Sequence, residues 1–189
     1  GKTYRSSQTG VPHQTLDGPS TQGRFGHSAA SAGDVNHDGY ADLLVGAFGG
    51  GTNGGGEVLL FLGSARGVAD MPAWRYSCPT DGSDFGHQVE GVGDLNGDGF
   101  DDFIVGATYY SAPGRPERTG GAFVFLGGTN GPGSRPDWEM VGQEPDSKTG
   151  FAVAAAGDVN GDGYADVLVG AFNDGRSEAS TDGGTGRVS

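Results

Sequence analysis

The sequence predicts an all-β chain built from repeated four-stranded antiparallel sheets, and three observations predict it. Short apolar runs such as Leu43-Leu44-Val45, Leu59-Leu60-Phe61 and Ile104-Val105 are closely bounded by glycine, and no Leu-rich stretch carries a 3.6-residue period. The 40 glycines among 189 residues supply many tight turns, and a hydrophobic share of 34% suits short strands better than long helices. A nine-residue pattern at Asp34 to Asp42 returns at Asp94 to Asp102 and at Asp158 to Asp166, with spacings of 60 and 64 residues. A period of that length, holding four short strands, fits one antiparallel blade of a β-propeller. Leucine-rich and ankyrin-type repeats are shorter and need helices, which this sequence does not offer.

The elements follow in order. Residues 1–24 read as one short strand and a long polar connection, with Tyr4 resembling Trp74 and Trp138 in context, so that residues 2–7 suit the outer strand of a preceding blade. Residues 25–84 form the first unit. Phe25-Gly26 opens it, His27 to Ala32 is a strand of small residues, and the Asp-rich loop follows. The strand Asp42 to Ala47, a glycine loop, the strand Glu57 to Leu62 and the strand Ala73 to Ser77 complete the unit. Residues 85–148 retrace it: Phe85-Gly86, a short strand, the second loop, then strands at Asp102 to Ala107, at Ala122 to Leu126 and around Trp138. Residues 149–189 begin a third copy at Thr149-Gly150, with a strand at Asp166 to Ala171, and end where its third strand should begin.

The repeated loop carries the chemistry. Calcium takes six to eight oxygen ligands in loose geometry, and Asp or Asn at positions 1, 3 and 5 of a tight loop supply them from one side. Glycine at position 6, here Gly39, Gly99 and Gly163, permits the turn that aims the carbonyl of position 7 at the ion. Three calcium sites are therefore expected. Site one takes Asp34, Asn36, Asp38, the Tyr40 backbone oxygen and Asp42. Site two takes Asp94, Asn96, Asp98, the Phe100 backbone oxygen and Asp102, with Asp101 as a solvated neighbour. Site three takes Asp158, Asn160, Asp162, the Tyr164 backbone oxygen and Asp166. An EF-hand would place Glu at position 12, which is Val45, Val105 or Val169 here. A dockerin-type loop shares Asp-Val-Asn-Gly-Asp-Gly, but a helix follows it and its repeats sit closer together. A turn that binds nothing would account for one such loop; the full ligand set three times over argues for a metal.

Charge and cysteine content narrow the classes further. With 24 acidic and 11 basic residues the formal charge is −13, which argues against nucleic acid and anionic membranes as partners. Much of that acidity belongs to the three loops. Cys78 is the single cysteine, so no intrachain disulfide forms, and a small, partly buried residue near a strand end is the plain reading. The chain begins Gly1-Lys2 and contains no long apolar run, so a processed N-terminus and a soluble protein without membrane insertion are expected.

Phe-Gly, then Gly-Asp-Val-Asn-X-Asp-Gly-Tyr-Ala-Asp, then Leu-Val-Gly-Ala, then an apolar strand ending Phe-Leu-Gly resembles the FG-GAP repeat of integrin α-subunit propellers and their bacterial relatives. The resemblance runs from Phe25 onward. It implies that the Phe-Gly and Gly-Ala elements pack blade against blade, and that the Asp-rich hairpin binds calcium on the face opposite the ligand-binding loops. Two departures concern packing: Gly-Ala-Pro reads Gly46-Ala-Phe48, Gly106-Ala-Thr108 and Gly170-Ala-Phe172, and Thr149 replaces the Phe of the third unit.

Function is read as extracellular recognition or adhesion, secreted or at the cell surface, with structural calcium and a protein or glycan ligand. The candidate ligand loop runs from Tyr109 to Arg118 and offers Tyr109, Tyr110, Arg115 and Arg118. No catalytic constellation stands out. His27 and His87 recur at one repeat position, which argues for packing, and Ser28 beside His27 points to the other face of a strand. Since some FG-GAP-like propellers belong to enzymes of polysaccharide lyase or lipid/ester hydrolase type, the alternative is part of a secreted enzyme with its chemistry on the loop face or in another region. Two full units and a partial third are too few to close a propeller ring, so a piece of a longer propeller or a homo-oligomer is expected.

Overall fold

In a computed structural model of the chain, residues 14–18, 23–51, 53–114, 117–173 and 187–188 are described. They form strands and turns, with no helix among them. The first sheet has the order β1 (Ser28–Gly33), β2 (Asp42–Ala47), β3 (Glu57–Phe61), β4 (Trp74–Ser77). The second repeats it as β5 (Phe85–Gly93), β6 (Asp102–Ala107), β7 (Gly121–Phe125), β8 (Trp138–Val141). The third pairs β9 (Thr149–Gly157) with β10 (Asp166–Ala171), and β10 with β11 (Arg187–Val188). Every pairing inside a sheet is antiparallel between sequence neighbours, as expected of propeller blades. The reading of Tyr4 as part of an outer strand falls outside the described residues.

Alternation along the strands makes each sheet two-faced. In β6, Phe103, Val105 and Ala107 point into one cluster while Ile104 points into another; in β7, Phe123 and Phe125 oppose Ala122 and Val124 in the same way. The first cluster fills the space between blades one and two, where Trp74 packs on Phe125 at 5.1 Å between ring centroids and Tyr76 on Phe85 at 5.3 Å. These edge-to-face and tilted contacts add to the area that the rings bury. The second cluster joins blade two to Val153 and Val169 of blade three. A third covers the outer face of blade one, where Leu16 and Phe25 lie against Val45, Ala47, Leu59 and Phe61.

Glycine permits the closest approach between blades. A Cβ on Gly46 would stand 2.1 Å from the carbonyl oxygen of Gly86, and one on Gly106 would stand 2.1 Å from that of Gly150. Both contacts join the Gly-Ala end of one blade to the Phe-Gly or Thr-Gly start of the next. Parallel bridges Gly56 to Phe85 and Gly120 to Thr149 complete each junction. Thr149 therefore does not loosen the packing: it is buried, and the neighbouring Ser147 hydroxyl donates to the Thr119 carbonyl at 2.7 Å. Ser83 makes the equivalent bond to Gly55 at 2.6 Å. Cys78 is buried just beyond the end of β4.

Candidate metal loops and ligand face

Each Asp-rich stretch closes the hairpin between the first two strands of a blade, and backbone amides converge on its first carboxylate. Asp34 accepts from the amides of Asp38 at 2.9 Å and Gly39 at 2.7 Å. Asp94 accepts from Gly97, Asp98 and Gly99, and Asp158 from Gly161, Asp162 and Gly163. Asn36, Asn96 and Asn160 each donate to the carboxylate at position 5, and their carbonyls accept from the amide of that residue. The turn needs a left-handed residue at position 6, and Gly39, Gly99 and Gly163 have φ of 89°, 88° and 94°.

The ninth residue plays a second part. Asp42 is buried, accepting from Val35 N at 3.0 Å with one oxygen and from Gly63 N at 2.8 Å with the other. Asp102 does the same with Leu95 and Gly127, and Asp166 accepts from Val159. This carboxylate ties the loop to the second strand of its blade and, in the first two blades, to the end of the third strand. Burial pushes the carboxyls of Asp42 and Asp102 up from the ordinary 3.8, against the two amides that stabilise the anion, and nearby loop carboxylates push the same way. For Asp94 burial is the largest influence and also opposes ionisation, but four backbone amides together outweigh it and hold the carboxyl low. Asp158 is held low by the Gly163 amide first.

The donor set is all hard oxygen and lies within one turn, which fits calcium in chemistry. Among the described residues no three acidic, histidine or cysteine side chains already stand as a closed cation cage, because the first and ninth carboxylates face backbone amides. Those amides leave lone pairs free on each carboxylate, so an ion would share the oxygens with the loop backbone.

Asp101 departs from the expected solvated role. Its Oδ2 accepts from the Asp34 amide at 2.7 Å, and its own amide donates to the Asp34 carbonyl at 3.2 Å. The second loop thus clamps the first. His37 Nδ1 also meets the Gly99 carbonyl at 2.6 Å, and Ala165 N reaches the Asp94 carbonyl between blades two and three. Sequence reading missed these cross-blade bonds because a carboxylate one place before the ninth position has no partner within its own loop.

The opposite ends of the same hairpins carry the ligand-loop candidates. Tyr110 turns inward, edge-to-face on Phe123 at 5.0 Å, and joins the core between blades one and two. Tyr109 stays at the surface side, with the Arg118 guanidinium 4.2 Å from its ring centre and the Lys148 ammonium 5.9 Å away. Arg118 also pairs with Asp146 at 3.4 Å. Arg115 falls outside the described residues. Ser28 donates its hydroxyl to the Gly86 carbonyl at 2.8 Å, so it serves the junction between blades.

Two four-stranded blades and a third sheet of three described strands, joined through Phe-Gly or Thr-Gly and Gly-Ala ends and each with an Asp-rich first hairpin, define a propeller-blade array. The FG-GAP repeat model matches residues 25–61, 85–125 and 149–189, and the chain belongs to that family. It is similar to integrin alpha-7 of Rattus norvegicus, 33% identical over 168 residues, covering 87% of this chain and 14% of that protein. Integrin alpha-6 of Homo sapiens is 30% identical over 167 residues, with the same coverage of 87% and 14%. Integrin alpha-IIb of Mus musculus is 42% identical over 98 residues, 51% of this chain and 10% of that protein. The chain thus spans between 10% and 14% of the length of these relatives. No described helix is long and apolar enough to cross a membrane.

Proposed function

We propose that the chain is a calcium-stabilised propeller segment that recognises a protein or glycan ligand outside the cell, secreted or displayed at the cell surface. The observation that carries the calcium reading is the threefold hairpin, in which amides fix the first carboxylate and glycine at a left-handed φ turns the loop beneath the same oxygen donors. Asp34, Asn36, Asp38, the Tyr40 carbonyl and Asp42 would hold the first ion, and their counterparts at 94–102 and 158–166 the others. Calcium would supply positive charge where carboxylates crowd one turn. Because loop one is bonded to loop two through Asp101, each ion would stiffen a blade junction as well as a hairpin. Membership of a family that includes integrin alpha subunits supports recognition or adhesion over catalysis.

Extracellular calcium modules bind with dissociation constants of about 10⁻⁴ to 10⁻³ M, so at roughly millimolar calcium each site stabilises by about 0.4 to 1.4 kcal/mol. Calorimetric melting in calcium and in excess chelator tests this: the expected result is a clearly lower Tm in chelator, and identical melts would end the assignment. Replacing Asp38, Asp98 and Asp162 by Asn one at a time should each remove one site from a calcium titration.

The last blade also supports a partner in assembly. Its outer face exposes Leu168 at 41% and Val159 at 70%, whereas Leu44, Ile104 and Val35 at corresponding positions are fully covered. A further blade, from a longer chain or a second copy, is the matching cover.

A further inference from the structure

Loops one and two are joined in a way that loops two and three are not, although all share one sequence pattern. The Asp101 carboxylate accepts from the Asp34 amide at 2.7 Å, and the Asp101 amide donates back to the Asp34 carbonyl at 3.2 Å. His37 reaches the Gly99 carbonyl through Nδ1 at 2.6 Å, and because a carbonyl only accepts, Nδ1 is the donor. The Gly128 amide donates to the carbonyl of the fully buried Val35 at 2.9 Å, next to the Gly127 amide that Asp102 holds at 2.8 Å.

Each link ends on or beside an expected calcium donor. Asp34 and Asp102 are the first and ninth residues of their loops, Asp101 lies between Asp102 and Phe100, and Gly99 is the turn residue before Phe100. Asp101 fits closely, since a Cβ on Gly33 would collide with its Oδ2. His37 holds a left-handed φ of 58° at a position that Gly97 and Gly161 fill in the other loops with φ of 77° and 76°. That conformation is uncommon for a residue with a side chain, and here it carries an imidazole across to loop two.

The second junction lacks these side-chain links. Gly97 stands where His37 stands, and Ala165 where Asp101 stands. Among the described residues, the hydrogen bond between loops two and three runs from Ala165 N to Asp94 O at 3.5 Å, which is long for an amide and a carbonyl. A Cβ on Gly93 would find that of Ala165 3.9 Å away, where Gly33 is pressed against Asp101. The main-chain contact thus recurs between blades, and the clamp does not.

The difference matters for an ion. Carboxylates that share a turn repel one another, and a cation that takes several oxygens of one loop fixes their positions. Where two loops are bonded through their donor residues, the ion that fixes one also restricts the other. A second ion then meets a loop that has already lost that freedom, and it binds more tightly. One long main-chain bond transmits little of this restriction.

Resting on the calcium reading, we propose that Asp101 and His37 couple loops one and two, so that calcium binds these loops cooperatively and binds loop three independently. Both are positioning residues, since neither belongs to the expected donor set.

The test is an NMR titration of the whole 189-residue chain with calcium, following the amides of Gly39, Gly99 and Gly163 at the same turn of each loop. The Gly39 and Gly99 signals are expected to move together in one steep transition, and Gly163 along a simple saturation curve. Asp98→Asn, which changes a donor of loop two alone, should weaken calcium at loop one by about fivefold and leave loop three unchanged. Asp38→Asn should weaken loop two by the same factor, because coupling between two binding equilibria is reciprocal. Loop two adjoins both neighbours, so an effect of charge alone would reach loop three as well as loop one. The effect of Asp98→Asn on loop one should shrink in Asp101→Ala and in His37→Gly. The second variant copies the other two loops at an exposed position, and it decides the matter if Asp101→Ala fails to fold. Asp101→Asn keeps an acceptor for the Asp34 amide and should retain most of the coupling.

Three independent saturation curves, equal effects of Asp98→Asn on loops one and three, or coupling undiminished in either variant would each overturn the proposal and leave the calcium sites in place. Coupling lost as fully in Asp101→Asn as in Asp101→Ala would assign it to charge and overturn the clamp. Glycine amides unmoved in all three loops would strike the calcium reading, and the proposal with it.

Discussion

Asp101 shows how one side chain can join two loops that sequence reading treats as separate. Its carboxylate satisfies the Asp34 amide across the junction, and the partly buried amide would otherwise lack an acceptor. Asp101→Ala should therefore cost about 1 to 2 kcal/mol in urea unfolding. Ala165, at the same repeat position, makes only a backbone contact to the Asp94 carbonyl, so Ala165→Gly should change little by comparison. His87 gives a second expectation at this scale. Burial lowers its proton affinity from the ordinary 6.5, His27 lowers it further, and Asp84 partly offsets both. A histidine held low in the fold contributes stability that is fully present above the unfolded value and is lost as pH falls through 6.5. Asp84, raised above 3.8 mainly by burial, acts in the opposite sense nearer its own range. The Tm of the chain should therefore decline as pH falls below about 6.5, and His87→Phe, which copies Phe151 of the third unit, should flatten that decline. An unchanged pH profile in the variant would remove His87 as the cause.

At the scale of elements, the strands and hairpins were legible because the chain repeats them. Asp42–Ala47, Asp102–Ala107 and Asp166–Ala171 carry apolar runs that glycine bounds, and their bounds match the sequence expectation. The start of the second blade was less so. The strand Phe85–Gly93 is nine residues long, and its His, Gln and Glu side chains disguise a segment held by a junction bridge at its start. Ser83 and Ser147 were illegible because their carbonyl partners, Gly55 and Thr119, lie 28 residues earlier in the chain. The metal loops read clearly as donor sets. The contacts of His27 with His87 and of His87 with Phe151 did not, because these rings are far apart in sequence and meet only when blades stack. The Gly-Ala ends supply a direct test of that stacking. Gly46→Ala and Gly106→Ala place a methyl group 2.1 Å from a backbone oxygen and should each cost about 3 kcal/mol or more. At Gly170 the nearest atom to such a methyl group among the described residues is 3.4 Å away on its own sheet, so Gly170→Ala should stay within about 0.5 kcal/mol.

For the whole molecule, the two ends of the blade array differ. The outer face of blade one is covered by Leu16 and Phe25, while the outer face of blade three leaves Leu168 and Val159 open. The strand pattern accounts for this: Val167 and Val169 turn toward blade two, so Leu168 must face away from it. Gly170 retains the glycine that Gly46 and Gly106 use against the next blade, and among the described residues it meets only Ala152 of its own sheet. Blade three is thus shaped at both its apolar and its glycine positions to receive another blade. An uncovered face of this kind favours association in water. The 189-residue chain, purified alone, should therefore exceed 19.1 kDa in solution by light scattering at high concentration. Val159→Asp combined with Leu168→Glu should return it to a monomer without lowering Tm, since neither side chain contributes to the buried clusters. If the unmodified chain is already a monomer at all concentrations, the exposed face does not drive assembly, and closure by a second copy is ruled out for this segment.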